Sequence, residues 1–218
     1  FNFKMKKIIQ TINISKSYIS PAETLTIFKH LDFSLEEGKN MFLFGPSGCG
    51  KSTFLNMITG LDVPDSGKIF IDKNELSSLN SSKLLKNDIG IIFQDHYLLS
   101  ELNIKDNLMI KSNDLIQFNF LLEFLDIIDI QYKYPHQISN GQKQRVCVAR
   151  SLINKPKLII ADEPTSYLDK INSDKVIDIL INYSHEFNTS IVVSSHDISY
   201  KKIFDFSYTI EDMKLIKC

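Results

Sequence analysis

Gly45-Pro46-Ser47-Gly48-Cys49-Gly50-Lys51-Ser52 is the stretch on which the reading of this chain turns. An apolar run (residues 40–44) leads straight into it, and a helix-compatible run (51–59) closed by Gly60 follows. In the spacing Gly-x-x-x-x-Gly-Lys-Ser the glycines let the backbone wrap close enough for its N–H groups to surround phosphate oxygens. The helix that follows aims its positive N-terminal end at them. Lys51 in that position contacts the β- and γ-phosphates of a nucleotide, Ser52 ligates magnesium, and Thr53 adds a further hydrogen bond. Cys49 sits in the loop near a helix N-terminus. That either lowers its thiol pKa and makes it reactive or leaves it a buried, inert thiol.

Outward from this loop, residues 7–14 and 25–35 carry β-branched and apolar side chains in partial alternation and read as strands. Glu37-Gly38 and Asp65-Ser66-Gly67 are turns, the second leading into a strand at 68–71. Residues 89–93 are short and apolar enough for a buried strand. From Asp95 to about Pro156 the pattern changes: Leu108, Leu115, Phe118, Leu121, Leu122, Leu125 and Ile128 follow helical spacing, and 142–153 continues it. Buried-strand patterns return at 158–161 and 190–194, separated by a helix at about 172–186. Strands alternating with helices imply a largely parallel sheet covered on both faces, with a helical segment inserted in the middle.

The chain of 218 residues suits one large domain, or one domain with an inserted subdomain. It is 43% hydrophobic and 23% charged, which allows a sizeable core. Its formal net charge of -1 lacks the basic excess of a nucleic-acid binder, so no nucleic-acid partner is expected. Cys49, Cys147 and Cys218 have neither disulfide nor zinc spacing, which points to a reducing cytoplasm. No apolar run reaches the ~20 residues of a membrane span, and residues 1–7 lack the apolar core of a signal peptide. If the protein works at a membrane, another chain supplies the spans.

Leu158-Ile159-Ile160-Ala161-Asp162-Glu163 sets two carboxylates at the C-terminal end of an apolar strand, the edge of an open parallel sheet where ligands bind. Asp162 is suited to hold magnesium through water, and Glu163 to polarise the water that attacks a γ-phosphate. A lone Asp-Glu at a strand end is more often a solvated turn. Downstream of a phosphate loop and behind a strand, the pair favours hydrolysis over binding alone.

With these motifs in place, the whole chain resembles the ATPase subunits of ATP-binding-cassette (ABC) transporters. Ile138-Ser139-Asn140-Gly141-Gln142 is similar to the family signature Leu-Ser-Gly-Gly-Gln, and Lys143-Gln144-Arg145 continues it. Gln94 matches the glutamine that joins catalytic core to helical subdomain and helps hold magnesium. Ser166-Tyr167-Leu168-Asp169 resembles the D-loop, His196 the switch histidine, and Tyr18 the aromatic that stacks on adenine. The resemblance implies a P-loop α/β fold with a mostly parallel core sheet, an N-terminal antiparallel β subdomain and an inserted helical subdomain. A catalytic core at 1–94 and 157–218 would flank a helical subdomain at 95–156. It also implies ATP and magnesium as ligands. The ATP of one subunit would be held by Gly45 to Thr53 and met in trans by Ser139, Gly141 and Gln142 of a second copy, making a homodimer. Asn140, where the family keeps glycine, tolerates left-handed backbone but adds a side chain that would crowd a γ-phosphate.

Within that family, Gly60-Leu61-Asp62, Tyr134-Pro135-His136-Gln137 and Ala161-Asp162-Glu163-Pro164-Thr165 resemble the group that includes LolD-type, MacB-type and FtsE-type ATPases. His96-Tyr97-Leu98-Leu99-Ser100-Glu101-Leu102 with Lys105-Asp106-Asn107-Leu108 is most similar to LolD-type sequences. This implies a peripheral subunit at the cytoplasmic face of an inner membrane, paired with separate LolC/LolE-like transmembrane permeases in lipoprotein release. MacB-type export and cell division are the alternatives within the group. A soluble ATPase acting on ribosomes or DNA would usually bring tandem cassettes or a long coiled-coil insertion, and the chain has neither.

Overall fold

The computed structural model describes residues 6–21, 23–77 and 80–218. Residues 1–5, part of the stretch tested above for a signal peptide, lie outside the described residues. Two long strands, β1 (Lys7–Ile19) and β2 (Thr24–Glu36), run antiparallel, and β1 also pairs antiparallel with β4 (Ser66–Ile71). A short β5 (Asn74–Glu75) completes this four-stranded sheet in the order β2-β1-β4-β5. Between β2 and β4 come β3 (Asn40–Phe44) and α1 (Lys51–Thr59), with the bounds expected from sequence.

The second sheet has the order β10-β9-β3-β8-β7-β6. Here β6 is Ile89–Ile92, β7 Leu158–Asp162, β8 Ser190–Ser195, β9 Phe206–Glu211 and β10 Lys214–Lys217. Every pairing in it is parallel except β9 with β10. Its strands β3, β6, β7 and β8 are buried on both faces, so alternate residues enter different cores. Ile159, Ala161, Ile191 and Val193 join one cluster with α3 (Ile104–Met109), α4 (Leu115–Phe124), α5 (Asn140–Leu152) and α6 (Lys170–Phe187). Leu158, Ile160 and Val192 join the other, with α1, the antiparallel sheet and Leu84 of α2 (Ser81–Asn87). A continuous apolar strand is what such two-sided burial requires.

Several boundaries differ from the sequence reading. The strands expected at 7–14 and 25–35 run on to Ile19 and start at Thr24. There a polar stretch (Ser15, Lys16, Ser17) is carried by register shifts in the ladder, which removes the alternation. The turn expected at 65–67 overlaps β4, which begins at Ser66. The helical spacing from Leu108 to Ile128 is split between α3, α4 and a short 3-10 turn at Ile128–Ile130. The helix expected from 142 starts at Asn140 because Ser139 caps it, and the one expected from 172 starts at Lys170 because Asp169 caps it. The hairpins closed by Asp72-Lys73 and Asp212-Met213 escaped the sequence reading. Both turns take positive φ without glycine, at 43° and 68° and at 47° and 61°. No helix among the described residues is long and apolar enough to cross a membrane.

Candidate active site

The parallel order brings the C-terminal ends of β3 and β7 to the same edge of the sheet, with β8 between them. The chain leaves β3 through the phosphate loop and enters α1 at Gly50, whose φ of 109° is a conformation side chains disfavour. A Cβ at Gly50 would also come within 2.5 Å of Ile27 Cγ2, so glycine is needed for conformation and for space. No acidic residue stands in the first turn of α1 and no side chain caps it. Its leading N–H groups are therefore left for an external anion.

Lys51 is buried and folds back over the loop. Its Nζ donates to the carbonyl oxygens of Gly45 (2.8 Å) and Pro46 (3.2 Å) and lies 3.7 Å from Glu163 Oε1. Glu163 follows β7 with φ at 49°, a left-handed state that is costly for a long side chain and is held by its surroundings. Its N–H donates to Ser194 Oγ (2.9 Å), and the Ser194 hydroxyl donates to Asp162 Oδ1 (2.6 Å). The serine is fully buried, so it fixes both carboxylate residues at the strand ends. Glu163 Oε1 stands 3.0 Å from His196 Nε2. The approach is not that of a well-formed hydrogen bond, and Oε1 is buried with none. A buried carboxylate oxygen that has the Lys51 ammonium nearby but no hydrogen bond is costly in a finished structure and is left free to accept one from a water in the cleft.

Lys51, Ser52, Thr53, Gln94, Glu163 and His196 line one cleft of about 250 Å³, with Ser47, Gly48 and Gly50 forming its loop side. Asp162 stands behind it through Ser194. A larger cleft of about 490 Å³, between Lys86 and the 110–114 and 153–155 segments, holds none of these groups. The site is therefore located by its chemistry and not by its size. Gly45, Pro46 and Cys49 shape the loop from behind. Cys49 is half-buried against the core that includes α1, and its Sγ would sit 2.9 Å from a Cβ on Gly45.

Tyr18 lies beside the cleft, half-exposed, and its hydroxyl donates to Asp62 Oδ2 (2.8 Å). Ser139, Gly141 and Gln142 are not in the cleft. They cap α5: Gln142 N–H donates to Ser139 Oγ (3.3 Å) and Ser139 N–H to Gln142 Oε1 (3.0 Å). Asn140 is exposed in the first helical turn, and its φ is not positive. The tolerance of asparagine for left-handed backbone is not drawn on here, because the cap at Ser139 makes the next residue helical. Asp169 caps α6, accepting from Asn172 N–H (2.8 Å) and Nδ2 (2.6 Å). The Asn172 backbone and side-chain bonds hold its carboxyl below the ordinary value. Ser194 and Lys16 went unnoticed in the sequence, and Asp62 entered it only within the Gly60-Leu61-Asp62 resemblance. A serine inside an apolar strand was the only available sign of the first.

Residues 28–166 match the ABC transporter family profile. A lipoprotein-releasing system ATP-binding protein LolD of Buchnera aphidicola (subsp. Acyrthosiphon pisum) is 37% identical over 219 residues, covering 95% of this chain and 96% of the relative. The LolD of Treponema denticola is 38% identical over 216 residues, covering 94% and 96%. Among solved structures, the ATP-binding cassette MJ0796 in a dimeric post-hydrolysis state bound to ADP and Pi superposes with a TM-score of 0.86. It is 28% identical and covers 95% of this chain and 96% of that one. CbiO1 of Clostridium perfringens gives 0.85 at 25% identity, covering 97% and 87%. A likeness that runs through both sheets and nearly the whole length, and not through the phosphate loop alone, makes this chain a member of the ABC transporter ATP-binding family.

Proposed function

We propose that this ABC ATPase is one half of a paired nucleotide clamp that drives lipoprotein release from the inner membrane, as its LolD relatives are named for. The observation that carries the catalytic part is the buried Glu163 Oε1, which lies between Lys51 and His196 and makes no hydrogen bond. In this reading Glu163 takes the proton of the attacking water, and His196, 3.0 Å away, holds the carboxylate and the γ-phosphate in register. Lys51 exchanges its two loop carbonyls for the β- and γ-phosphates, and the loop from Gly45 to Thr53 wraps them. Tyr18 stacks on adenine.

Magnesium fits the residues present. Among the described residues no group of three or more His, Cys, Asp or Glu forms a protein-only cage. This cation instead keeps waters and takes one or two protein ligands plus phosphate oxygens. Ser52 and Gln94 would hold it directly and Asp162 through water, and when bound it would neutralise charge on the phosphates.

The signature residues cap a helix outside the cleft, which fits a second copy supplying Ser139, Gly141 and Gln142 in trans and Asp169 lying at the contact. We take 1–94 with 157–218 as the catalytic core and 95–156 as the helical subdomain. The homodimer would sit peripherally at the cytoplasmic face, bound to separate LolC/LolE-like permeases.

Glu163→Gln tests the catalytic half: ATP binding should persist while turnover falls at least about a hundredfold, with a dimer accumulating in ATP on gel filtration. Normal turnover in that variant would reject the assignment of the base. Co-purification with membrane subunits, followed by lipoprotein release from vesicles, tests the transport half. Capture of a MacB-type or FtsE-type partner in place of a lipoprotein-releasing one would move the protein to that branch.

A further inference from the structure

Asp62 belongs to none of the groups assigned above, yet it is the most heavily engaged carboxylate near the cleft. It lies just past the end of α1, where Leu61 and Asp62 N–H both return to Asn56 O (2.9 and 3.1 Å) and fix the chain leaving the helix. Its Oδ1 accepts from Lys16 Nζ (2.6 Å) and Val63 N–H (2.7 Å), and its Oδ2 accepts from Tyr18 Oη (2.8 Å). Lys16 is buried, also donates to Val63 O (2.8 Å), and holds its ammonium 5.1 Å from the Tyr18 ring centroid. Tyr18 Oη lies 3.5 Å from Thr53 Oγ1, on the first turn of α1 and in the phosphate cleft. Burial on its own would raise the Asp62 carboxyl, but the bonds from Lys16 and Tyr18 outweigh it and hold it below its ordinary value.

One carboxylate at the far end of α1 thus grips both the hydroxyl of the half-exposed Tyr18 and the cation behind its ring. An exposed tyrosine near the end of a strand has rotamers that turn its ring away from the cleft, and ordering it on binding costs free energy. We propose that Asp62, with Lys16, is a positioning residue that holds the Tyr18 ring ready for the nucleobase and ties it to the helix whose N-terminus faces the phosphates. The inference rests on the reading of Tyr18 as the base platform. It predicts that base recognition and phosphate recognition are separable at this carboxylate.

The experiment compares magnesium-dependent binding of ATP and of inorganic tripolyphosphate by calorimetry, for the full chain and its variants. Tyr18→Ala should weaken ATP roughly five- to a hundredfold, the range a stacked base supplies, and leave tripolyphosphate within about twofold. Asp62→Ala should reproduce most of that loss with the same sparing of tripolyphosphate, and Tyr18→Phe should fall between wild type and Tyr18→Ala. Because Asp62→Ala strands a buried ammonium, the double variant Lys16→Met with Asp62→Leu repeats the measurement with no unpaired charge. Wild-type ATP affinity in the Asp62 variants, or an equal loss for both ligands, overturns the inference. If Tyr18→Ala itself leaves the ratio unchanged, the base-platform reading fails as well.

Discussion

Asn140 is where one side chain has the clearest leverage on the proposed clamp. The signature helix needs no glycine here for its backbone, since the residue is helical and Ser139 already caps α5. What remains is volume. An exposed amide stands where a second copy would bring its γ-phosphate, and at Gly141 beside it a Cβ would meet the Asn172 side chain only at an ordinary contact distance of 3.4 Å. Asn140→Gly should therefore tighten ATP-induced dimerisation severalfold and raise turnover with it. Its cost to helix stability should stay under about 1 kcal/mol, the propensity difference of a glycine. The check is dimer fraction against ATP concentration by light scattering. Unchanged dimerisation and turnover would mean the amide swings clear of the nucleotide.

Asp72 joins the two sheets at the level of elements. It sits in the β4–β5 turn and accepts from Lys6 at the start of β1 and from Lys157 ahead of β7, both at 2.7 Å, with its carboxylate largely covered. Lys157 also reaches Asp88 (3.1 Å) at the end of α2. The bonds from Lys157 and then Lys6 hold the Asp72 carboxyl below 3.8, and those same bonds raise both lysines above 10.5. The carboxyl's contribution is therefore present above pH 3.8 and is lost as pH falls through its lowered folded value. The lysines' contribution is present below 10.5 and is lost as pH rises through their raised values. Asp72→Asn should cost about 1–2 kcal/mol near neutrality, discounted for the half-exposed ammoniums, or about 2–8 °C in Tm. The difference from wild type should shrink in acid melts below pH 3.8. This staple was invisible in sequence, because nothing marks Asp72 and Lys157 as neighbours before the sheets are assembled. The elements that were legible, β3, α1, β7 and β8, are those in which apolar pattern and turn chemistry agree. α2 has a single buried residue, Leu84, and β5 has two residues, so neither offers a period to read. In β9 the alternation of Phe206, Tyr208 and Ile210 was present but ended in a turn without glycine.

For the whole molecule, the separation of the signature from the cleft is the decisive fact. Motif spacing made both ends of the chemistry legible, but only the folded chain shows that a single copy does not bring Ser139 to Lys51. The cap at Ser139 leaves its serine exposed at the N-terminus of a thirteen-residue helix, outside the cleft that the phosphate loop lines. If a second copy completes the site, catalysis is second order in protein at low concentration. Specific activity should then rise with concentration and level off once dimer dominates. Mixing should expose the same logic: copies carrying Lys51→Ala and copies carrying Ser139→Arg should each be inactive alone. Together they should regain part of the activity, because the mixed dimer holds one intact composite site. A specific activity independent of concentration, with no recovery on mixing, would show that each chain hydrolyses ATP by itself.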